Sequence, residues 1–125
     1  MTWHITIPLE IPSQNATGKG RTWRARAAAT KKLRTAWHYH GIIAMGRACV
    51  MKATSSRALH IVAYPKQRCA DIANLIGGAK ACVDGLVDAG LLVDDRDTMA
   101  RITYEQHAAG KSPNKKPCTI IAVTE

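Results

Sequence analysis

Six of the nine acidic residues lie between positions 71 and 97, and a lysine lies among them. The residues that could do chemistry are Asp71, Lys80, Asp84, Asp94, Asp95 and Asp97. Carboxylates are preferred ligands of Mg²⁺, which activates a water molecule and neutralises negative charge growing on a phosphate during cleavage. A nearby lysine adds positive charge or orients the water. These residue types predict magnesium-dependent hydrolysis of a phosphodiester.

Each of these residues also has a simpler structural explanation. Lys80 and Asp84 are spaced for an ordinary ion pair on a helix surface, and Asp71 is placed to cap a helix. The three carboxylates within residues 94–97 are harder to explain, because they repel one another unless a cation or a basic group holds them. Taken together with the basic charge elsewhere, the set favours a catalytic site.

The rest of the chain is strongly basic. Its formal net charge is +9 over 125 residues, and residues 11–70 contain 12 of the 18 Lys and Arg residues but no acid. This balance favours a nucleic acid partner over an anionic membrane surface. The basic residues expected to contact DNA are Lys19, Arg21, Arg24, Arg26, Lys66, Arg68, Lys111, Lys115 and Lys116.

Hydropathy favours a cytoplasmic protein. No apolar run approaches the roughly 18 residues that span a bilayer, and residues 1–10 lack the pattern of a secretory signal. The four cysteines show no C-x-x-C spacing and are interpreted as structural thiols rather than zinc ligands.

Periodicity predicts one α+β domain over residues 1–125, a small mixed sheet covered by two helices in the order β-α-β-α-β-β. The predicted strands are residues 2–8, 58–64, 100–105 and 119–123, and the predicted helices are 23–52 and 72–89. Asp71 is the predicted N-cap of the second helix and Gly90 its end. Residues 110–117 form a basic loop, interpreted as a hairpin connection. Positions 73, 77, 80 and 84 share one helix face that the core does not need.

A family resemblance adds to this interpretation. Residues 71–95, DIANLIGGAKACVDGLVDAGLLVDD, closely resemble the signature of the RusA-type Holliday junction resolvases, D-x-D-N-L-x(4)-K-x(3)-D-G-L followed by A-G and a hydrophobic run ending in D-D. A weaker likeness covers the P-S-x-N loop at Pro12, Ser13 and Asn15, the G-R-T stretch and the closing T-E. The resemblance implies a homodimer that binds four-way DNA junctions and makes paired nicks with Mg²⁺ during recombination and repair, with no other cofactor. So compact a resolvase would also suit a phage or prophage setting.

The resemblance also assigns roles. It implies that Asp71, Lys80 and Asp95 are catalytic, that Asp71, Asp95, Asp94 and Asp84 serve the metal site, and that Asn74 supports the helix start. The departure is at Ala73, where the family pattern has a second aspartate. Either Asp84, Asp97 or another acid completes the site, or metal binding and cleavage are weakened; Asp84 shares a helix face with Ala73.

Two other functions remain open. The first is a DNA-binding protein with the same fold and a degraded site, which predicts salt-sensitive binding without cutting. The second is a basic RNA-binding domain, which explains the charge but not the arrangement of Asp71, Lys80 and Asp95. Such a domain would expose stacking aromatic residues, and the aromatic content is 5%. Trp37 and Tyr39 are candidates for the dimer surface, although burial within the subunit is favoured for Trp37.

Overall fold

The computed structural model describes residues 1–13, 22–66, 71–93 and 101–125. Its elements are β1 (Thr2–Ile7), α1 (Trp23–Arg47), β2 (Ala58–Tyr64), α2 (Ile72–Ala89), β3 (Ile102–Gln106), a 3₁₀ turn (Ala109–Lys111) and β4 (Cys118–Thr124). The predicted α+β class and the predicted order of strands and helices are confirmed. Neither helix, in the ranges described, is long and apolar enough to cross a membrane.

The first helix is shorter than predicted. It ends at Arg47 rather than near residue 52, and Cys49 adopts a left-handed backbone with φ of 56°. The amide of Val50 then donates a hydrogen bond back to the carbonyl of Met45 at 2.8 Å. A left-handed residue followed by such a back-directed bond terminates a helix, and periodicity does not reveal it when the residue is not glycine.

The four strands form one mixed sheet in the order β1-β4-β2-β3. Strand β4 is antiparallel to both β1 and β2, whereas β3 is parallel to β2. The predicted hairpin between the last two strands is therefore wrong, because β2 separates β3 from β4. The composition of residues 110–117 correctly indicates a turn, but it carries no information about which strand β4 joins.

One face of the sheet carries the core. Ile5, Ile121, Ile61 and Tyr104 lie side by side across the four strands, and the three isoleucines are fully buried. Both helices pack against this layer, and Trp37 of α1 is buried within the subunit as predicted. Alternate residues point to the opposite face, as strand geometry requires.

The two helices pack against each other closely enough to fix the orientation of α2. A Cβ atom added at Gly85 would lie 2.6 Å from the carbonyl oxygen of Arg34 and 2.8 Å from Cβ of Trp37. Beside this contact, the Arg34 guanidinium donates two hydrogen bonds to the Asp88 carboxylate, at 2.6 and 2.9 Å. The close contact at Gly85 and the ion pair of Arg34 with Asp88 together determine which side of α2 faces outward.

Candidate functional site

Asp71 is fixed at the start of α2. Its backbone is extended (φ −150°, ψ 171°), and Oδ1 accepts a hydrogen bond from the backbone amide of Asn74 at 2.8 Å. The predicted N-cap is confirmed. The partial positive charge at a helix N-terminus stabilises a carboxylate there. Asn74 supports this geometry through its main chain, and the Asp71 side chain remains exposed.

One side of α2 is not used by the core. Ala73, Gly77 and Lys80 are exposed and Asp84 is half-buried, so the predicted outer face is confirmed. The opposite side supplies core residues such as Leu75, Ala79 and Leu86. Among the described residues no ion pair joins Lys80 to Asp84.

Helix geometry separates the predicted residues along α2. At about 1.5 Å per residue, Asp71 lies about 13 Å from Lys80 and about 20 Å from Asp84 along the helix axis. A carboxylate ligand lies within about 2.1 Å of Mg²⁺, so Asp71 and Asp84 of one chain cannot hold the same ion. Within the described ranges no group of three His, Cys, Asp or Glu side chains is placed to hold a metal.

The remaining predicted acids, Asp94, Asp95 and Asp97, lie outside the described residues. The described residues that flank this segment, Val93 and Arg101, lie near the C-terminal end of α2, whereas Asp71 lies at its N-terminal end. Arg57, which lies just before β2, donates a hydrogen bond to the carbonyl of Leu91 at 3.1 Å, and Leu59 of β2 pairs with Ile102 of β3. The C-terminal end of α2 and the start of β3 therefore lie close together. The predicted catalytic residues Asp71 and Asp95 therefore precede and follow the same helix, which is about 27 Å long.

A basic surface covers the N-terminal half of α1. The Thr22 hydroxyl caps the helix by accepting a hydrogen bond from the amide of Ala25 at 3.2 Å. Trp23 is 67% exposed, and the Arg24 guanidinium lies 5.5 Å from the centre of its ring. The other exposed basic residues predicted to contact DNA are Arg26, Lys66, Lys111, Lys115 and Lys116. Lys19, Arg21 and Arg68 lie outside the described residues.

Sequence reasoning missed two charge networks. The hydrogen bonds that Arg34 donates to Asp88, 54 positions away in the chain, hold the pKa of this carboxyl below its ordinary value. On the open face of the sheet, Glu105 lies between His107 and His60, and hydrogen bonds from both lower its pKa. The alternation in β3 indicates that residue 105 faces outward, but the parallel pairing of β2 with β3 was needed to find the histidines.

The described residues thus combine two surfaces. The outer side of α2 carries Lys80 and Asp84, with Asp71 exposed at the start of the helix, and the first half of α1 carries exposed cations and an exposed indole. Carboxylates can position a divalent cation and cations can bind phosphates, so together these surfaces suit a phosphate-containing substrate. A scan against protein-family models and a search of curated proteins both found no match to the chain.

Proposed function

We propose that this protein is a magnesium-dependent, structure-selective endonuclease that resolves four-way DNA junctions by paired nicks and acts as a homodimer. The observation that carries the proposal is the exposure of Asp71 at the start of α2 and of Lys80 on the outer side of this helix, which the core does not require. The resemblance of residues 71–95 to the RusA-type signature supports the same assignment, since it covers this helix and the acids that follow it.

In this proposal Asp71, before α2, and Asp94 and Asp95, after it, would supply carboxylates to magnesium. Because α2 is about 27 Å long, carboxylates from its two ends would share one ion only when they come from different copies of the homodimer. When bound, the ion supplies activation of a water molecule and neutralisation of phosphate charge. Asp71 suits this role, because its capping bond fixes the carboxylate while leaving it exposed. Lys80 is exposed on the outer side of α2, where its positive charge would attract a phosphate. Asp84 lies one turn beyond Lys80, and its role is to keep that side of α2 polar and to balance the lysine's charge.

The basic residues would bind the arms of the junction. Arg24 and Arg26 on α1 and the lysines after the 3₁₀ turn neutralise phosphates, which gives salt-dependent affinity without base specificity. Trp23 is positioned for a different contact. Bases at a branch point are less completely stacked than in a duplex, and an exposed indole stacks on such bases.

The test is cleavage of an end-labelled four-way junction with and without magnesium. We expect paired nicks that require the ion and that fall at least about 100-fold in Asp71→Asn and Asp95→Asn, a loss of about 2.7 kcal/mol in transition-state stabilisation. Asp88→Asn is the matched control, because it is the same substitution on the outer part of α2 at a residue engaged with Arg34. Nicking that persists in both site variants, or that needs no divalent ion, would exclude the proposed site.

A second candidate is a junction-binding protein that does not cut. It is favoured by Ala73, an exposed position where the resembled signature has a carboxylate. This candidate predicts tight, salt-sensitive junction binding with no product at any magnesium concentration. Cleavage that appears only in Ala73→Asp would identify the protein as a nuclease scaffold that has become a binding protein.

A further inference from the structure

The face of the sheet opposite the two helices carries ring side chains that the described part of the chain leaves accessible. We call this surface the open face. His60 of β2 is 43% exposed there, and Glu105 and His107, on and just after β3, are 47% and 41% exposed. Tyr64 is half-buried beside His107, and His4 of β1 is exposed on the same face. The open face therefore presents four rings on a flat surface.

Tyr64 and His107 form a pair of rings at one end of the open face. Their ring centres are 5.8 Å apart, and the ring planes differ by 32°. The Glu105 carboxylate accepts hydrogen bonds from Nε2 of His107 and, at 3.3 Å, from Nε2 of His60. These bonds hold the His107 ring beside Tyr64, so less side-chain freedom is lost when a ligand binds. Tyrosine and histidine rings are among the side chains on which unpaired bases stack.

Exposed lysines lie at the same end of the sheet, where β2 and β3 end and β4 begins. They are Lys66, Lys111, Lys115 and Lys116. Lys66 is two residues beyond Tyr64, and Lys116 is two residues before Cys118, which pairs with Tyr64 across β2 and β4. Two residues of chain span at most about 7.6 Å. The ring pair and the lysines therefore belong to one surface.

The turn that carries Lys115 and Lys116 is held by its own hydrogen bonds. The buried Ser112 hydroxyl donates to the carbonyl of Lys116 at 2.8 Å. The Lys116 amide in turn donates to Oδ1 of Asn114 at 3.0 Å. The backbone of the turn is fixed by these bonds, so a phosphate has to order only the lysine side chains.

The balance of charge at this end favours a polyanion. Residues 106–124 contain three lysines and no acid. Two carboxylates lie nearby and both accept hydrogen bonds, Glu105 from the two histidines and Glu10 from the backbone amide of Lys66. The four lysines outnumber them. The described residues at this end therefore attract phosphates on balance.

The combination of rings with cations identifies the kind of polyanion. A duplex presents its phosphates but keeps its bases stacked on one another, whereas a single strand presents phosphates and unstacked bases together. We propose that the open face binds single-stranded DNA, with bases stacked on Tyr64 and His107 and with phosphates bound by the lysines. The aromatic content of 5% does not reveal this surface, because it leaves histidine out.

This inference deepens the proposed function, on which the choice of DNA rests. The proposed function assigns the lysines to phosphates of the junction arms, and the inference adds that this end of the sheet holds a strand whose bases are unpaired. Binding is measured in EDTA, where no metal-dependent cutting takes place. Loss of the proposed nuclease activity would leave the inference intact, and junction cleavage without single-strand binding would exclude the inference alone.

The experiment is fluorescence anisotropy of a labelled thymidine strand of about 15 nucleotides, titrated with the full chain. We expect Tyr64→Leu to weaken binding at least about fivefold, because the base loses its aromatic partner, and Tyr64→Phe to stay within about twofold of the wild type. Tyr39→Leu is the matched control, since Tyr39 is a 62% exposed tyrosine on α1. It should change the affinity less than about twofold.

A lysine pair tests the phosphate contact without disturbing the fold, because both side chains are exposed. Lys115→Ala/Lys116→Ala should weaken binding at least about tenfold at about 0.1 M salt and lower the salt slope by about 1.4, at about 0.7 per phosphate on a single strand. Lys31→Ala/Lys32→Ala removes the same charge from exposed positions of α1. This control should leave the slope within about 0.3 of the wild-type value.

Several results would overturn the proposal. They are a wild type that shows no salt-dependent binding of the strand, equal losses in the two lysine pairs, and equal losses in Tyr64→Phe and Tyr64→Leu. Tighter binding of the matching uridine RNA strand would exclude DNA as the occupant. Release of the strand at high protein concentration would show that a second copy of the chain covers the open face instead.

Discussion

Gly78 offers a sharp test of the packing that holds the start of the chain against α2. A Cβ atom added there would lie 1.7 Å from the carbonyl oxygen of Pro12, 2.8 Å from its carbonyl carbon and 3.1 Å from the carbonyl carbon of Ser13. Real Cβ atoms essentially never come within 3.0 Å of such atoms. Gly78→Ala must therefore move the backbone of Pro12 by more than an ångström, since a main-chain carbonyl cannot rotate away as a flexible side chain can.

Two opposing effects set the magnitude. Alanine gains about 1 kcal/mol over glycine in a helix interior. Overpacking costs about 1–3 kcal/mol, and a clash with backbone places Gly78→Ala at the upper end, near 3 kcal/mol. The expected net loss is about 2 kcal/mol. For a chain of 125 residues this corresponds to a fall in Tm of about 8 °C, at roughly 4 °C per kcal/mol.

The assay is urea and thermal unfolding followed by far-UV circular dichroism. The matched control is Gly46→Ala, the same substitution in the other helix at a position where the new Cβ meets nothing within 4 Å. It should stabilise the protein by up to about 1 kcal/mol. The reasoning is refuted if Gly78→Ala unfolds at or above the wild-type midpoint, or if both substitutions shift stability in the same direction.

Three further outcomes follow from individual contacts. Arg34 lowers the pKa of Asp88, so their ion pair stabilises the fold above the unfolded carboxyl pKa of about 3.9 and is lost as pH falls through the lower folded value. The stability gap between wild type and Asp88→Asn, at most about 1 kcal/mol, should close on acidification in urea titrations. Arg57 is buried and donates to the carbonyls of Leu91 and Met51, so Arg57→Met should lower the free energy of unfolding by about 3 kcal/mol, and an unchanged urea midpoint would contradict this. Trp23→Ala should weaken junction binding at least about fivefold in mobility-shift assays with an unchanged salt slope, since no charge is removed; equal affinity would exclude stacking.

Local signals account for what the sequence predicts well. The N-cap at Asp71 and the left-handed Gly90, with φ of 91°, define α2 to within a residue, because capping depends on neighbours in the chain. Alternation predicts β2 at its observed limits. The outer face of α2 is also local information, since residue spacing alone determines which side chains share a helix face.

Long-range pairing accounts for what the sequence could not provide. Strand β4 lies between β1 and β2. The composition of a strand does not encode which strands become its neighbours. The ion pair of Arg34 with Asp88 joins residues 54 positions apart. The network of Glu105 with His60 and His107 likewise forms only after β2 and β3 are adjacent.

The candidate site shows the same division. Residue types and spacing identify Lys80 and Asp84 as part of one exposed helix face and Asp71 as the N-cap before it, and both predictions are confirmed. The same spacing, at about 1.5 Å per residue, prevents Asp71 and Asp84 from sharing an ion within one chain. Spacing does not reveal which other parts of the protein lie near either end of α2. A motif of consecutive residues therefore indicates a chemistry, whereas the helix length decides which of its members can act together.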